Sequence, residues 1–422
     1  MPTSRNLGRS PGVDPLVHAV TELAVLSLHS SPLTQPGTGD SGGMNVYVRE
    51  LAASLAQSGV GTTVYVRSWD PDLPREVAVE PGFRVVHVPA GPLHLPKEQL
   101  PETVEAFTRG VRDELVRRPV DVIHANYWLS GVAGHRLKHE LDLPLVSTFH
   151  TLARVKAETG DPEPQRRIDA EADVIGCSDI ILANSVEEVT QLETLYGADP
   201  RRIEVVPPGV EHAFFSPGDR TGARRALGLG EHPILLFVGR IQPLKGLTVA
   251  VGALASLRRP DAELVVVGGP SGVEGDAELR RVLLLADQLG VRHQIRFVPP
   301  QPHHLLSTYY RAADVVLVPS RSESFGLVAL EAAACGIPVV AAAVGGLRTL
   351  IDHGSTGWLV DQRDPDAFAD AVRQLLADPV AAARMGADAA RRAKGYTWSV
   401  AAARLRRVYA DLASRSLVDC AA

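Results

Sequence analysis

Ser320-Arg-Ser-Glu-Ser-Phe-Gly-Leu-Val-Ala-Leu-Glu331 follows a solid apolar run, residues 314–319, and leads into an alanine-rich stretch that closes at Gly336. An apolar strand that passes through a short polar turn into a helix is the repeating step of a parallel sheet. Such a turn sets unpaired N–H groups and the positive end of a helix dipole at the carboxyl edge of the sheet, where a phosphate can sit. Glu323 and Glu331 flank that seat. Carboxylates repel phosphate, so a ligand recognised by both also carries hydroxyl groups, as a nucleotide sugar does.

The same step recurs in both directions from this stretch. Residues 24–29, 62–66, 84–88, 120–124, 143–149, 180–184 and 203–207 read as one set of strands, and residues 233–238, 264–268, 295–298, 314–318, 338–343 and 358–360 as a second. Helical stretches lie between them; in residues 44–57, Met44, Val48, Leu51 and Leu55 fall on one helical face. The expected class is α/β, with two doubly wound Rossmann-like domains facing a central cleft. A chain of 422 residues is of a length for two cores. The expected divisions are a disordered tail over residues 1–18, a first domain over 19–212, a second over 213–395 and a terminal helical segment over 396–422. That last segment has no strand left to feed, and Tyr396-Thr397-Trp398 is where it would cross back to the first domain.

A net charge of −6 and a pI near 6.2 leave no basic footprint for nucleic acid. Cys177, Cys335 and Cys420 stand far apart, with no Cys-x-x-Cys and no adjacent histidine at ligand spacing. This argues against a zinc site and suits a reducing compartment. No run is long and apolar enough to span a membrane, and the prolines of the first residues break any signal sequence. The expected location is cytoplasmic.

Two further loops carry chemistry. Gly37-Thr-Gly-Asp-Ser-Gly-Gly-Met-Asn45 joins the first strand to the first helix, and its glycines permit close backbone approach to a phosphate or sugar, or simply a flexible connection. Gly239-Arg240-Ile-Gln-Pro-Leu-Lys245-Gly246 places two cations at the equivalent position of the second domain, suited to a diphosphate. His29 and His150 close strands, where a histidine is more often structural. Asp40 and Glu323 can also be read as the carboxylate pair of a glycoside hydrolase, but they fall in different domains.

The segments 239–246 and 323–331 together resemble the donor site of retaining glycosyltransferases of the GT-B fold, and the likeness runs from Ala24 to Asp411. In the first half, residues 29–45, Tyr127-Trp-Leu-Ser-Gly131 and His150-Thr-Leu-Ala153 are similar to the inositol-phosphate glycosyltransferases of mycothiol biosynthesis. The resemblance implies transfer of N-acetylglucosamine from UDP-GlcNAc to 1D-myo-inositol 3-phosphate. It implies that Arg240 and Lys245 hold the donor diphosphate, Glu331 the ribose and Glu323 a sugar hydroxyl, with Gln35, Pro36 and Gly43 along the donor and His150 beside its sugar. His29, Asp40, Ser41, Gly42, Gly43, Met44, Asn45, Lys97, Tyr127, Thr151 and either Arg166 or its neighbour Arg167 would form the acceptor site. His150, Arg240, Lys245 and Glu323 would act in catalysis. No cofactor is implied for the chemistry. A peripheral Mg2+ near Tyr310, Arg311 and Ala313 is implied, although Ile337 stands where the family has a small polar residue. A homodimer is implied as well. Other phosphorylated or polyol acceptors, a UDP-GlcNAc epimerase and a silent sugar-nucleotide-binding subunit are the competing readings.

Overall fold

A computed structural model describes residues 20–37, 41–272, 274–412 and 415–420. The expected tail over residues 1–18 and the candidate Asp40 lie outside them. The first sheet contains β1 (Glu22–Leu26), β2 (Gly61–Arg67), β3 (Glu76–Glu80), β4 (Phe83–Val88), β5 (Val122–Asn126), β6 (Leu145–Thr148), β7 (Ile180–Ala183) and β8 (Ile203–Val205). Its order is β3-β4-β2-β1-β5-β6-β7-β8, parallel throughout except for β3, which returns antiparallel beside β4. The second sheet contains β9 (Ile234–Val238), β10 (Glu263–Val267), β11 (Ile295–Val298), β12 (Val315–Val318), β13 (Val339–Ala342) and β14 (Trp358–Val360). It runs β11-β10-β9-β12-β13-β14, all parallel.

Strands β7, β9, β12 and β13 are apolar throughout, as strands covered on both faces can be. Leu235 and Phe237 of β9 enter one core layer, while Ile234 and Leu236 enter the layer on the other side. In β1, Leu23 and Val25 face one layer and Ala24 and Leu26 the other. The edge strand β3, Glu-Val-Ala-Val-Glu, is not among the expected strands: none of its residues is buried, and its glutamates match a surface more than a core.

Each sheet reverses its strand order beside its first strand, between β1 and β5 and between β9 and β12. Loops leaving neighbouring strands at such a point go to opposite faces, and the crevice between them takes ligand. The loops after β1, β5, β9 and β12 carry His29, Tyr127, Arg240 and Ser320 respectively. The topology therefore brings the motif-bearing loops of both domains to one place.

The terminal helix Trp398–Leu412 packs in the first domain. Trp398, Leu405, Tyr409 and Leu412 join its core, and Tyr409 Oη lies 2.9 Å from His124 Nδ1. The chain thus crosses between domains twice, and the crossings touch: Val210 N donates to Tyr396 O at 3.1 Å. A Cβ at Gly209 would lie 2.2 Å from Trp398 N, so only glycine permits this approach. One expectation is overturned. Cys177 and Cys420, far apart in sequence, have their Cα atoms 5.2 Å apart with the sulfurs paired as a disulfide, and two histidines stand beside them.

Candidate active site

The two domains enclose a cleft of about 880 Å3. On the second-domain side, two loops meet: Arg321 N donates to Leu244 O at 2.8 Å. Lys245 Nζ and Glu323 Oε2 are paired at 2.8 Å, both partly buried. Beyond Glu323, helix Leu327–Ala334 begins at Gly326 with no side-chain cap, which leaves its first N–H groups for a ligand. The main chain behind Glu323 is fixed by Gly346 N, which donates to Glu323 O at 2.9 Å.

Glu331 is buried within that helix, and both its oxygens are engaged. His303 Nε2 lies 2.7 Å from Oε1, and Tyr310 Oη donates to Oε2 at 2.7 Å. Burial pulls the His303 pKa down, but the charge of Glu331 and its hydrogen bond outweigh this and raise it above the ordinary value. Any ribose hydroxyl must share these oxygens through their remaining lone pairs. Tyr310 and Arg311 do not fit the implied Mg2+ site through their side chains: the Tyr310 hydroxyl is given to Glu331, and the Arg311 guanidinium to the carbonyls of Ser216 and Phe214. Ala313 offers no side-chain ligand, so of these three residues only main-chain oxygens are left for Mg2+.

Across the cleft, the loop after β1 reaches the second domain. Gln35 Nε2 donates to Pro300 O at 3.1 Å, and a Cβ on Gly42 would stand 3.1 Å from Arg240 Nε. Pro36, Gly42, Gly43 and Met44 line the cleft, whereas Gln35, Ser41 and Asn45 do not. Asn45, expected in the acceptor set, is buried and bonded within its own loop. Its Oδ1 accepts from Ser30 Oγ and Gly42 N at 2.7 and 2.9 Å, and its Nδ2 donates to Ser31 O at 2.6 Å. Asn45 therefore organises the loop, half of a capping box at the start of helix Gly43–Gln57.

Lys97, Tyr127, Thr151, Arg166 and Arg167 do come together. The Tyr127 ring has Lys97 Nζ 5.9 Å and the Arg167 guanidinium 5.0 Å from its centroid. The structure separates the two arginines by partner. Arg167 is 3% exposed, paired with Glu163 at 2.7 Å and Glu171 at 2.8 Å, and also donates to Thr151 Oγ1. Exposed Arg166 donates to Glu98 O, and neither it nor Lys97 has a carboxylate partner among the described residues. Two uncompensated cations and the Tyr127 hydroxyl thus border one corner of the cleft. Arg167 serves instead as its buttress.

His150 and Tyr127 hold φ of 61° and 74°, two of the four described non-glycine residues with positive φ. Strained backbone of this kind collects where side-chain placement matters. His150 Nε2 lies 2.9 Å from Asn126 Oδ1. Burial, with a smaller effect from His124, pushes its pKa down to about 3, so the ring is neutral near pH 7. It can orient a hydroxyl but holds no proton for general-acid work. Burial also holds His29 well below its usual value, helped by the charges of Lys97 and other neighbours, and its buried Nδ1 has no partner.

Glu188, absent from the expected set, also lines the cleft. Burial raises its pKa from 4.5 to about 7, against hydrogen bonds from the Asn184 main chain and side chain. Between those pH values the folded chain holds a proton that the unfolded chain releases. Its contribution to stability is therefore full below 4.5 and lost as pH rises through 7. Glu188→Gln keeps an oxygen acceptor for Asn184, so thermal denaturation from pH 5 to 8 should show the variant overtaking the parent at the alkaline end, by roughly 2–3 kcal/mol. Parallel pH profiles would refute this role.

Comparison with known proteins bears directly on this site. Residues 219–392 match the family described as glycosyl transferases group 1, and residues 41–214 match glycosyltransferase family 4. The D-inositol 3-phosphate glycosyltransferase of Acidothermus cellulolyticus is 48% identical over 404 residues, covering 92% of this chain and 90% of its own. That of Geodermatophilus obscurus is 49% identical over 391 residues, covering 89% and 86%. The chain belongs to the D-inositol 3-phosphate glycosyltransferase family. As a member of that family it is a glycosyltransferase, and its two Rossmann-like domains form the GT-B fold. Among solved structures, the sucrose-phosphate synthase of Thermosynechococcus elongatus superposes with a TM-score of 0.88 at 32% identity, covering 94% of this chain and 100% of that one. HepE of Anabaena, solved in complex with UDP and glucose, has a TM-score of 0.75 at 19% identity over 93% of this chain and 100% of its own, a likeness of fold alone. In this family member no helix among the described residues is long and apolar enough to cross a membrane.

Proposed function

We propose that the protein transfers N-acetylglucosamine from UDP-GlcNAc to 1D-myo-inositol 3-phosphate with retention of configuration, a step of mycothiol biosynthesis. The observation that carries this is the corner formed by Lys97, Tyr127 and Arg166, where two cations without carboxylate partners face the cleft across from the Lys245–Glu323 pair. A phosphate monoester is the acceptor group such a corner suits. The relatives named for D-inositol 3-phosphate supply the acceptor's identity.

In this reading Arg240, Lys245 and the open end of helix Leu327–Ala334 hold the donor diphosphate and stabilise the charge that grows on it as it leaves. Glu323 accepts from a sugar hydroxyl, and neutral His150 orients the sugar. The acceptor hydroxyl attacks the anomeric carbon on the face the diphosphate leaves, and a departing phosphate oxygen takes its proton. Mg2+ has no step in this scheme. The family reading also implies a homodimer.

The test is a panel of acceptors incubated with UDP-GlcNAc and read by mass. Inositol 3-phosphate should be glycosylated, and free inositol should not. The likeness to a sucrose-phosphate synthase makes a phosphorylated sugar the second acceptor to include. Lys97→Ala should raise the KM for inositol phosphate about tenfold or more, the worth of one charge-assisted hydrogen bond. The KM for UDP-GlcNAc should stay within about twofold. A change confined to the donor would reverse the assignment of the two sides.

A further inference from the structure

Four side chains of metal-ligating type converge outside the cleft. His135 and His139 stand one turn apart on helix Trp128–Leu141, with ring centroids 5.2 Å apart. Cys177 is the last residue of helix Gln165–Cys177, and Cys420 arrives from 243 residues further along the chain. The four ligand atoms lie within 4.8 Å of one another, and no other such group of histidine, cysteine and carboxylate side chains occurs among the described residues. His139 Nε2 is 2.9 Å from Cys420 Sγ and 3.3 Å from Cys177 Sγ, and His135 Nε2 is 3.6 Å from Cys420 Sγ.

We propose that His135, His139, Cys177 and Cys420 bind one zinc ion in a closed structural site that fastens the C-terminal segment to the first domain. Two thiolates and two imidazoles are a tetrahedral zinc set, and a helical pair with three residues between the histidines is a spacing such sites use. In that geometry the sulfur–nitrogen edges are about 3.5 Å and the sulfur–sulfur edge about 3.8 Å. The imidazole–sulfur distances already fall near the first value, and the touching sulfurs have to part to reach the second. A Cys177–Cys420 disulfide would leave the two imidazoles only weak N–H···S contacts, whereas a metal ion would use both rings and both sulfurs as ligands. Binding zinc releases the two thiol protons and leaves the ion four-coordinate, with no open position for chemistry.

The surroundings are prepared for this. Asp179 Oδ1 accepts from Val418 N at 2.6 Å and from Lys138 Nζ at 2.8 Å, and Lys138 Nζ also donates to Cys177 O at 2.9 Å. The terminal segment is thereby guided to the cluster. His135 lies seven residues beyond the cleft-lining Trp128, about 10 Å along the helix axis. The two helices joined at this end are those whose other ends carry Tyr127 at the N-cap and Arg166 and Arg167 in the first turn.

Full-length protein purified in reducing buffer without chelator, then dialysed from one equivalent of Zn2+ into metal-free buffer, should retain one zinc per chain by elemental analysis. Co2+ in its place should give the visible bands of a tetrahedral site together with thiolate-to-cobalt charge transfer. Cys420→Ser and His135→Ala should each lose the bound zinc and the cobalt spectrum while keeping the parent's circular dichroism. Cys420 sits on a terminal segment, so its variant tests the site even if a change at His135 disturbs the helix. Protein that retains no zinc above background, or is two protons lighter through a Cys177–Cys420 disulfide, would overturn the proposal, as would a Cys420→Ser variant that keeps its metal.

Discussion

Lys245→Ala should lower turnover at saturating donor and acceptor by roughly 30-fold or more. Lys245 and Glu323 are paired at 2.8 Å in the cleft, so removing the cation has two effects. It leaves Glu323 uncompensated beside the incoming diphosphate, and it withdraws a positive charge from the leaving group. Losing one side of such a pair costs about 2–5 kcal/mol, and 2 kcal/mol in the transition state is already about 30-fold in rate. Because both side chains keep partial solvent access, the pair adds little to folding, and the melting temperature should move by no more than about 2 °C. Turnover within about threefold of the parent would remove Lys245 from the donor site. Lys245→Arg should recover part of the loss, since charge returns while the compact ammonium does not.

Gly345→Ala should destabilise the protein by about 2–5 kcal/mol and abolish donor binding together with activity. Gly345 has φ of 46°, and a Cβ there would lie 2.0 Å from Glu323 O. The left-handed conformation alone costs an alanine about 1–2 kcal/mol, and forced overlap in a packed site about 1–3 kcal/mol. The obstacle is a main-chain carbonyl, so no side-chain rotation relieves it; the turn that aims Glu323 must move. Melting curves with and without UDP-GlcNAc separate the two effects. A variant with the parent's melting temperature and an unchanged ligand-induced shift would show that this turn tolerates displacement.

The fold was legible because its strands are buried on both sides. Val-Val-Leu-Val of β12 and Ile-Leu-Leu-Phe-Val of β9 declare themselves by composition, and the glycine-rich or charged loops that follow mark the crevice. β3 was not legible, since three small apolar residues between two glutamates, none of them buried, read as surface. In the site, many of the residues that line the cleft were visible through their chemistry, but residues that position them were not. His303 and Tyr310 reach Glu331 from 28 and 21 positions away, Gly346 bonds Glu323 from across another loop, and Arg167 differs from Arg166 only by which carboxylates the folded helix turns towards it. Asn45 was placed in the acceptor set by the family resemblance; its bonds to the serines of its own loop were not legible in the sequence. The cysteines misled for the same reason, because spacing along the chain does not record a tail that returns from the far end.

The double crossing between domains governs how the cleft can exchange its contents. Two covalent connections lying side by side, joined by the Val210–Tyr396 hydrogen bond and wedged at Gly209 against Trp398, resist twisting and sliding but leave rotation about one line. Away from that line the domains meet again, where Gln35 donates to Pro300 O and the Gly42 loop lies against Arg240. The same loop whose glycines admit Arg240 is thus a second tie between the domains, so the two walls of the cleft are held in register at both of its edges.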